Sequence, residues 1–200
     1  MNDTPAPHGP NPGLGDTLFA VVDVETTGLD PDADRILQMA AVVVDSTGRV
    51  VEEFETVVRP ESPDEYEHGA EHIHGISREM VEQGMPLRSA LENLLSVVDG
   101  RLLTAHNARF DMSFLQAESR RVGLEWNVSQ YVDTLHLSRR TDSSADRRHN
   151  LEALCERYGV TRARAHEASA DAKAAASILL RLIDELGVES PEQLTLPYDE

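Results

Sequence analysis

The chain has 200 residues, 40% apolar and 27% charged, with 36 acidic side chains against 18 basic ones and a formal charge of −18. This is the composition of one globular domain long enough to bury a real core. The acid excess excludes a protein that coats nucleic acid indiscriminately, since that affinity comes from Lys and Arg neutralising phosphates, and a polybasic membrane-surface role. The excess is uneven: residues 1–100 hold 20 acids and 5 bases, and residues 101–200 hold 16 and 13.

A single cysteine, Cys155, leaves no internal disulfide, and no C-x-x-C pattern points to zinc. The start, Met1 to Gly15, carries Pro5, Pro7, Pro10 and Pro12 without a basic or apolar leader region, so it does not read as a signal peptide. No apolar run approaches the roughly 20 residues that span a bilayer. The expectation is a soluble, cytoplasmic protein in a reducing compartment. Residues 1–16 read as a disordered tail, 17–187 as the folded domain and 188–200 as a short C-terminal tail.

Leu18 to Val24 is a short β-branched apolar run, a buried strand that ends in the turn Thr26-Thr27-Gly28. Ile36 to Asp45 is a second strand, and Ser46-Thr47-Gly48 a hairpin turn into a third, Val50 to Val58. Arg59 to Gly84 is polar, a long connection with one short helix after Ser77. Leu87, Leu91, Leu94, Leu95 and Val98 recur at helical spacing. A short buried strand, Leu102 to Ala105, precedes a helix from Phe110 to Val122, and Tyr131 to Thr134 suggests a fifth strand. Arg139 to Arg148 reads as loop. Asn150 to Tyr158 and the Ala-rich Glu167 to Leu186 are helices stopped by Gly159 and Gly187. The order βββ-α-β-α-β-α-α is mixed α/β with a partly antiparallel sheet.

Three small motifs carry the chemistry. Asp23 and Glu25 stand two apart at the end of the first strand, so both point to one face. Carboxylates held that close repel unless a cation neutralises them, and hard oxygen donors select Mg²⁺ or Mn²⁺. Taken alone, the pair is equally a solvated strand end. Asp111, in His106-Asn107-Ala108-Arg109-Phe110-Asp111, lies in a first helical turn, where an acid also suits the helix dipole. Asp171, in His166-Glu167-Ala168-Ser169-Ala170-Asp171, has the same bland alternative.

Together, Asp23-Val24-Glu25-Thr26-Thr27-Gly28, the His106–Asp111 segment and the His166–Asp171 segment resemble the DnaQ-like 3′–5′ exonucleases. These form the DEDDh branch of the RNase H-like superfamily, with the proofreading ε subunit of bacterial DNA polymerase III and RNase T among its members. Ile73-His74-Gly75-Ile76 is similar to a segment of ε-type sequences. The resemblance runs from about Leu18 to Leu186 and implies an RNase H-like mixed five-stranded sheet flanked by helices. It implies two divalent metal ions, Mg²⁺ or Mn²⁺: one on Asp23, Glu25 and Asp171, the second bridged by Asp23 and held through Asp111. His166 matches the general base. In the DEDDy relatives a Tyr stands four residues before the last Asp, a position held here by Glu167.

The implied activity is metal-dependent 3′–5′ hydrolysis of single-stranded or frayed DNA ends in proofreading or repair, releasing nucleoside 5′-monophosphates. RNase T-like trimming of RNA 3′ ends is the alternative within the enzyme class, and a polymerase-associated scaffold module the alternative outside it. Thr26, Thr27 and Gly28 form a turn able to approach the terminal nucleotide, Leu29 matches an apolar wedge against the last base, and Asn107 matches a substrate contact. Phe110 serves either as core, favoured because it opens an amphipathic helix, or as a stacking surface. His74, His106 and His149 read as structural histidines. One departure is Glu167-Ala168-Ser169, where relatives often carry Arg-Ala-Leu after the His; it adds negative charge beside the base. Arg147 and Arg148, in an Arg-rich stretch running from 139 to 164, are candidate phosphate contacts. Gln193-Leu194-Thr195-Leu196-Pro197 resembles a sliding-clamp docking pentapeptide, with Pro197 in place of its terminal aromatic.

Overall fold

In the computed structural model, residues 13–62, 66–142, 144, 147–163 and 165–198 are described. β1 (Leu18–Thr26) pairs antiparallel with β2 (Ile36–Asp45), which pairs antiparallel with β3 (Val50–Arg59). The hairpin between β2 and β3 turns where expected. Oδ1 of Asp45 accepts from the main-chain N–H of Thr47 at 2.9 Å and of Arg49 at 3.0 Å, while Gly48 takes φ 86°, a left-handed value that glycine adopts freely.

Alternation along β1 sorts its side chains into two layers. Ala20, Val22 and Val24 face α3 (Leu87–Val98) and α4 (Ala108–Arg121), against Leu91, Leu94, Met112 and Leu115. Phe19 and Val21 face α7 (Ala168–Leu186), against Ala172, Ala175 and Leu179. Asp23 and Glu25 continue the second set, so the period of two places both acids on the α7 side of the sheet. β2, with helices over both faces, is buried from end to end apart from Gln38 and Asp45.

On its other edge β1 pairs in parallel with β5 (Leu102–Ala105), which pairs in parallel with β6 (Gln130–Asp133). The sheet therefore has seven strands, not the five expected from sequence, in the order β4-β3-β2-β1-β5-β6-β7. The two additions are β4 (Met85–Pro86), parallel to the end of β3, and β7 (Thr195–Pro197), antiparallel to β6. Neither is long enough to show alternation. β4 joins β3 only at Val58 and Arg59, leaving Val50–Val57 with a strand neighbour on one side alone.

The segment expected as a C-terminal tail is thus part of the sheet. Leu194 is buried, Leu196 lies opposite Tyr131, and the N–H of Tyr198 donates to the carbonyl of Ser129 at 2.9 Å. Gln193 closes a capping box with Ser190 over a 3-10 turn, Pro191–Gln193. Of the pentapeptide Gln193–Pro197, Leu194 is buried and Thr195–Pro197 are paired with β6, so a partner could take it as a docking peptide only by pulling it out of the sheet, which corrects the docking expectation. At the other end Leu14 is buried in the α7-side core; residues 1–12 of the expected tail lie outside the described set.

Between β3 and β4, α1 (Glu71–His74) and α2 (Arg78–Glu82) line a third small core of Leu37, Tyr66, Ile76 and Val81. The side chain of Ser77 caps α2 through the Met80 N–H. After β6, α5 (Thr134–Thr141) occupies chain that was expected to enter loop at Arg139. Asp133 caps it by accepting from Leu135 N–H at 2.9 Å, and Leu137 and Ser138 are buried. α6 (Leu151–Tyr158) follows, capped by Asn150 and ended by Gly159 at φ 64°. No helix among the described residues is long and apolar enough to cross a membrane.

Candidate active site

The C-terminal ends of β1, β5 and β6 point the same way, because the three strands are parallel, and a crevice opens beyond them where β1 changes from an antiparallel to a parallel neighbour. Asp23 and Glu25 stand on β1 at this end. α7 begins on the same side of the sheet and carries Asp171 in its first turn, buried. Ligand atoms of Glu25, His166 and Asp171 lie within 4.8 Å of one another. His166 is exposed, with φ 60°, and its main-chain N–H donates to Oδ2 of Asp171 at 3.3 Å.

Asp111 arrives from the opposite layer. β5 ends at Ala105 while β1 continues, so the N–H of Val24 has no strand acceptor on that side. Oδ1 of Asp111, at the first turn of α4, takes it at 3.2 Å. One bond thereby ties the third acid to the strand bearing the first two.

The site is charged against itself. Burial pushes the Asp23 carboxyl well above the usual range, and the charges of Asp111, Asp171 and Glu25 push it further, with Arg162 opposing them. Burial and Asp171 raise Glu25 to about 7. Asp111 is raised by burial despite hydrogen bonds that favour its charged form, with Asp133 and Glu25 adding repulsion. Burial raises Asp171 too, against the nearby Arg162. The structure therefore gathers all five motif residues singled out in the sequence, and four of them are carboxylates that oppose one another's ionisation.

The turn after β1 is built by its own side chains. The Thr26 hydroxyl donates to the Gly28 carbonyl at 2.6 Å, and the Thr27 hydroxyl donates to Asp34 at 3.0 Å. A Cβ on Gly28 would lie 2.4 Å from an Asp34 carboxylate oxygen, so a larger residue there would push that carboxylate off its bonds to the Thr27 hydroxyl and the Asp30 N–H. Gly69 backs the turn just as closely: a Cβ there would lie 2.3 Å from the Thr27 carbonyl. His74 holds that backing, its Nε2 meeting the Gly69 carbonyl at 3.1 Å and its Nδ1 accepting from Ile76 N–H at 3.0 Å. Leu29, at the tip, is 84% exposed.

Across the crevice Asn107 takes the left-handed conformation, φ 63°, and donates its N–H to Asp133 at 3.0 Å. His106 meets the Thr134 hydroxyl at 2.9 Å, and burial lowers it to about 4; His149 meets Ser138 at 3.1 Å. Phe110 is half-buried with its ring 4.9 Å from Phe114, packed against the core and partly open. A cavity of about 800 Å³ lies beside Asn107, lined by His106, Arg139, Arg147 and His149. Arg147 also pairs with Asp142 at 2.8 Å. Arg148 gives its main-chain carbonyl to Arg157 at 3.0 Å.

Sequence reasoning passed over Asp133, which joins the start of α4 to the start of α5, and gave no individual place to Arg162. Nη1 of Arg162 lies 3.1 and 3.2 Å from the two oxygens of Asp171. An ion pair between a residue ahead of a helix and one in its first turn, nine positions apart, has no periodicity to betray it.

Carboxylates gathered at the ends of the sheet's parallel strands, with a histidine beside them, are the constellation on which the exonuclease expectation rested. The chain belongs to the RNase_T exonuclease family, whose pattern it matches over residues 20–179. It is 34% identical over 172 residues to the PolC-type DNA polymerase III of Thermotoga maritima, covering 86% of this chain and 12% of the polymerase. It is 32% identical over 169 residues to the 3′-5′ exonuclease DinG of Bacillus subtilis, covering 84% of this chain and 18% of DinG. The chain thus spans less than a fifth of the length of either relative. In fold it is similar to the nuclease domain of 3′hExo, a DEDDh family member solved bound to rAMP, with a TM-score of 0.76 at 16% identity over 93% of this chain and 98% of that one.

Proposed function

We propose that the chain hydrolyses single-stranded or frayed DNA from the 3′ end and releases nucleoside 5′-monophosphates. The observation that carries this reading is the set of four carboxylates, Asp23, Glu25, Asp111 and Asp171, opposing one another's ionisation beside His166. Such a set is costly to assemble unless cations share it, and all-oxygen donors suit Mg²⁺ or Mn²⁺. Asp23, Glu25 and Asp171 would hold one ion, and Asp23 with Asp111 a second. When bound, the ions supply positive charge that polarises the scissile phosphate and makes water a better nucleophile.

This chain's own residues then divide the remaining work. His166, exposed at the lip of the cage, accepts one proton of the attacking water as that water's oxygen bonds to phosphorus and the P–O3′ bond breaks, and the leaving 3′-oxygen takes up a proton from solvent. The Thr26–Gly28 main chain and Asn107 face the terminal nucleotide from two sides of the crevice. Leu29 offers an apolar surface to its base, and the open edge of Phe110 a second one. Arg147, in the cavity beside Asn107, meets backbone phosphates. What favours DNA over RNA in this reading is the relative at 34% identity, a DNA polymerase. A proofreading or repair role, with a polymerase as partner, follows the same kinship.

The test is digestion of 5′-labelled DNA and RNA oligonucleotides with Mg²⁺, Mn²⁺ or EDTA. A DNA ladder shortening from the 3′ end, absent in EDTA and in Asp23→Ala, is the expected result. A ladder on RNA alone would move the substrate to RNA, and no cleavage of either would leave a scaffold role.

A further inference from the structure

Arg162 lies in the segment between α6 and α7, and its side chain is 14% exposed. One nitrogen, Nη1, straddles the carboxylate of Asp171, 3.1 Å from Oδ1 and 3.2 Å from Oδ2. Oδ2 also accepts the His166 N–H. Both oxygens of Asp171 are therefore engaged by donors of this chain, and the nitrogen sits between them, as a cation chelated by the carboxylate would. The charge reaches beyond the pair: Arg162 opposes the upward push on Glu25 and Asp23 as well. Three of the four cage acids thus feel the same guanidinium.

We propose that Arg162 is a tethered counter-ion of the cage, holding Asp171 while no divalent cation is bound and yielding it when one arrives, so that it sets the cation affinity of the site. The inference rests on the metal-site reading above. It follows from position: the guanidinium nitrogen lies between Oδ1 and Oδ2, where a cation chelated by both oxygens of Asp171 would have to sit, and two positive charges cannot share that place. The arginine stabilises the empty cage by supplying a positive charge among acids, and by the same amount makes loading harder. The alternative is an arginine that stays on Asp171 in both states and orients it for the ion; removing that arginine would weaken binding rather than strengthen it.

The whole chain, stripped with EDTA, is titrated with MnCl₂ by calorimetry and melted with and without Mn²⁺, as wild type, Arg162→Gln and Arg162→Lys. Arg162→Gln is expected to bind Mn²⁺ roughly tenfold more tightly, the scale of one partly buried charge pair. It should melt lower than wild type without metal and level with it at saturating Mn²⁺. Arg162→Lys, which keeps the charge on a narrower head, should fall between the two and covers the case in which the Gln variant does not fold. Unchanged or weaker Mn²⁺ binding by the variants, or an unchanged metal-free melting temperature, overturns the role given to Arg162 alone. A wild-type chain that takes up no Mn²⁺ overturns the metal-site reading and this inference with it.

Discussion

His166 holds its backbone at φ 60° and turns its main-chain N–H onto Asp171 at 3.3 Å, so the chain that carries the imidazole to the cage is tied to the acid beside it. A non-glycine residue in the left-handed region costs about 1 kcal/mol or more, and strain of this kind collects where geometry must be exact for function. Asn tolerates that region better than most residues. His166→Asn should therefore keep its melting temperature within about 2 °C of wild type while cleavage falls roughly 10²- to 10⁴-fold, the usual contribution of a general base. Melting curves and 3′-end digestion rates on the same preparation check both halves.

Asp23→Asn removes a buried charge from among three others. Without metal the variant should be more stable than wild type, by about 2–6 °C if relieving the repulsion is worth roughly 1–2 kcal/mol. It should cleave nothing. Thermal melts in EDTA decide the matter, and a fall in melting temperature would mean that Asp23 stabilises the fold by hydrogen bonding instead.

The metal-free protein should lose stability as pH rises from about 4.5 to about 7. Glu25 in the folded chain is raised to about 7 from an ordinary value of 4.5, so across that window the folded state binds more protons than the unfolded one. Stability then falls with pH, the reverse of the common case of a salt-bridged carboxylate. Saturating Mn²⁺ should invert the trend, since cations bind the deprotonated acids. Denaturant melts at a series of pH values, with EDTA or Mn²⁺, measure the slope in each state.

Arg147→Ala should reduce the salt dependence of single-strand binding. Removing one arginine from a backbone phosphate lowers the slope of log K against log salt by about 0.7 for a single strand. Arg139→Ala, which removes the second arginine of the same cavity, should have a similar effect, and Arg148→Ala a smaller one, because Arg147 and not Arg148 lines that cavity. Fluorescence anisotropy of a labelled oligonucleotide over a salt series gives the slopes; equal slopes for wild type and Arg147→Ala would remove the cavity from the substrate path.

The parts of this site that were legible in the sequence are those with a period. Leu18–Val24 reads as a strand from its β-branched apolar run, and a strand's period of two then puts Asp23 and Glu25 on one face, while the first turns of α4 and α7 follow from helical spacing. The hairpin at Ser46–Gly48 was readable from turn chemistry. α5 was not, because Thr134–Thr141 offers few apolar residues and depends on Asp133 for its cap. β4 and β7, two and three residues long, show no alternation and include prolines that argue against strands. The pentapeptide ending at Pro197 misled because a docking motif and a short edge strand share apolar residues two apart; the burial of Leu194 and the pairing of Thr195–Pro197 with β6 separate them. Gly69 and Arg162 act across loops, through a close approach and an ion pair, and neither leaves a pattern in sequence.

The outer length of β3, Val50–Val57, has a strand partner on one side only. Its unpaired N–H and C=O groups are a template on which another extended chain could grow. Val50 and Val51 are 45% and 44% exposed there and would welcome one. Glu52, Glu53 and Glu55 follow at once along the same strand, but each is already taken, Glu52 by Arg101 at 2.7 Å, Glu53 by Lys173 at 2.8 Å and Glu55 by the Gln38 amide at 3.0 Å. The open border of the sheet is therefore barest at Val50 and Val51, and the acids beyond them serve to tie it to the elements packed around it.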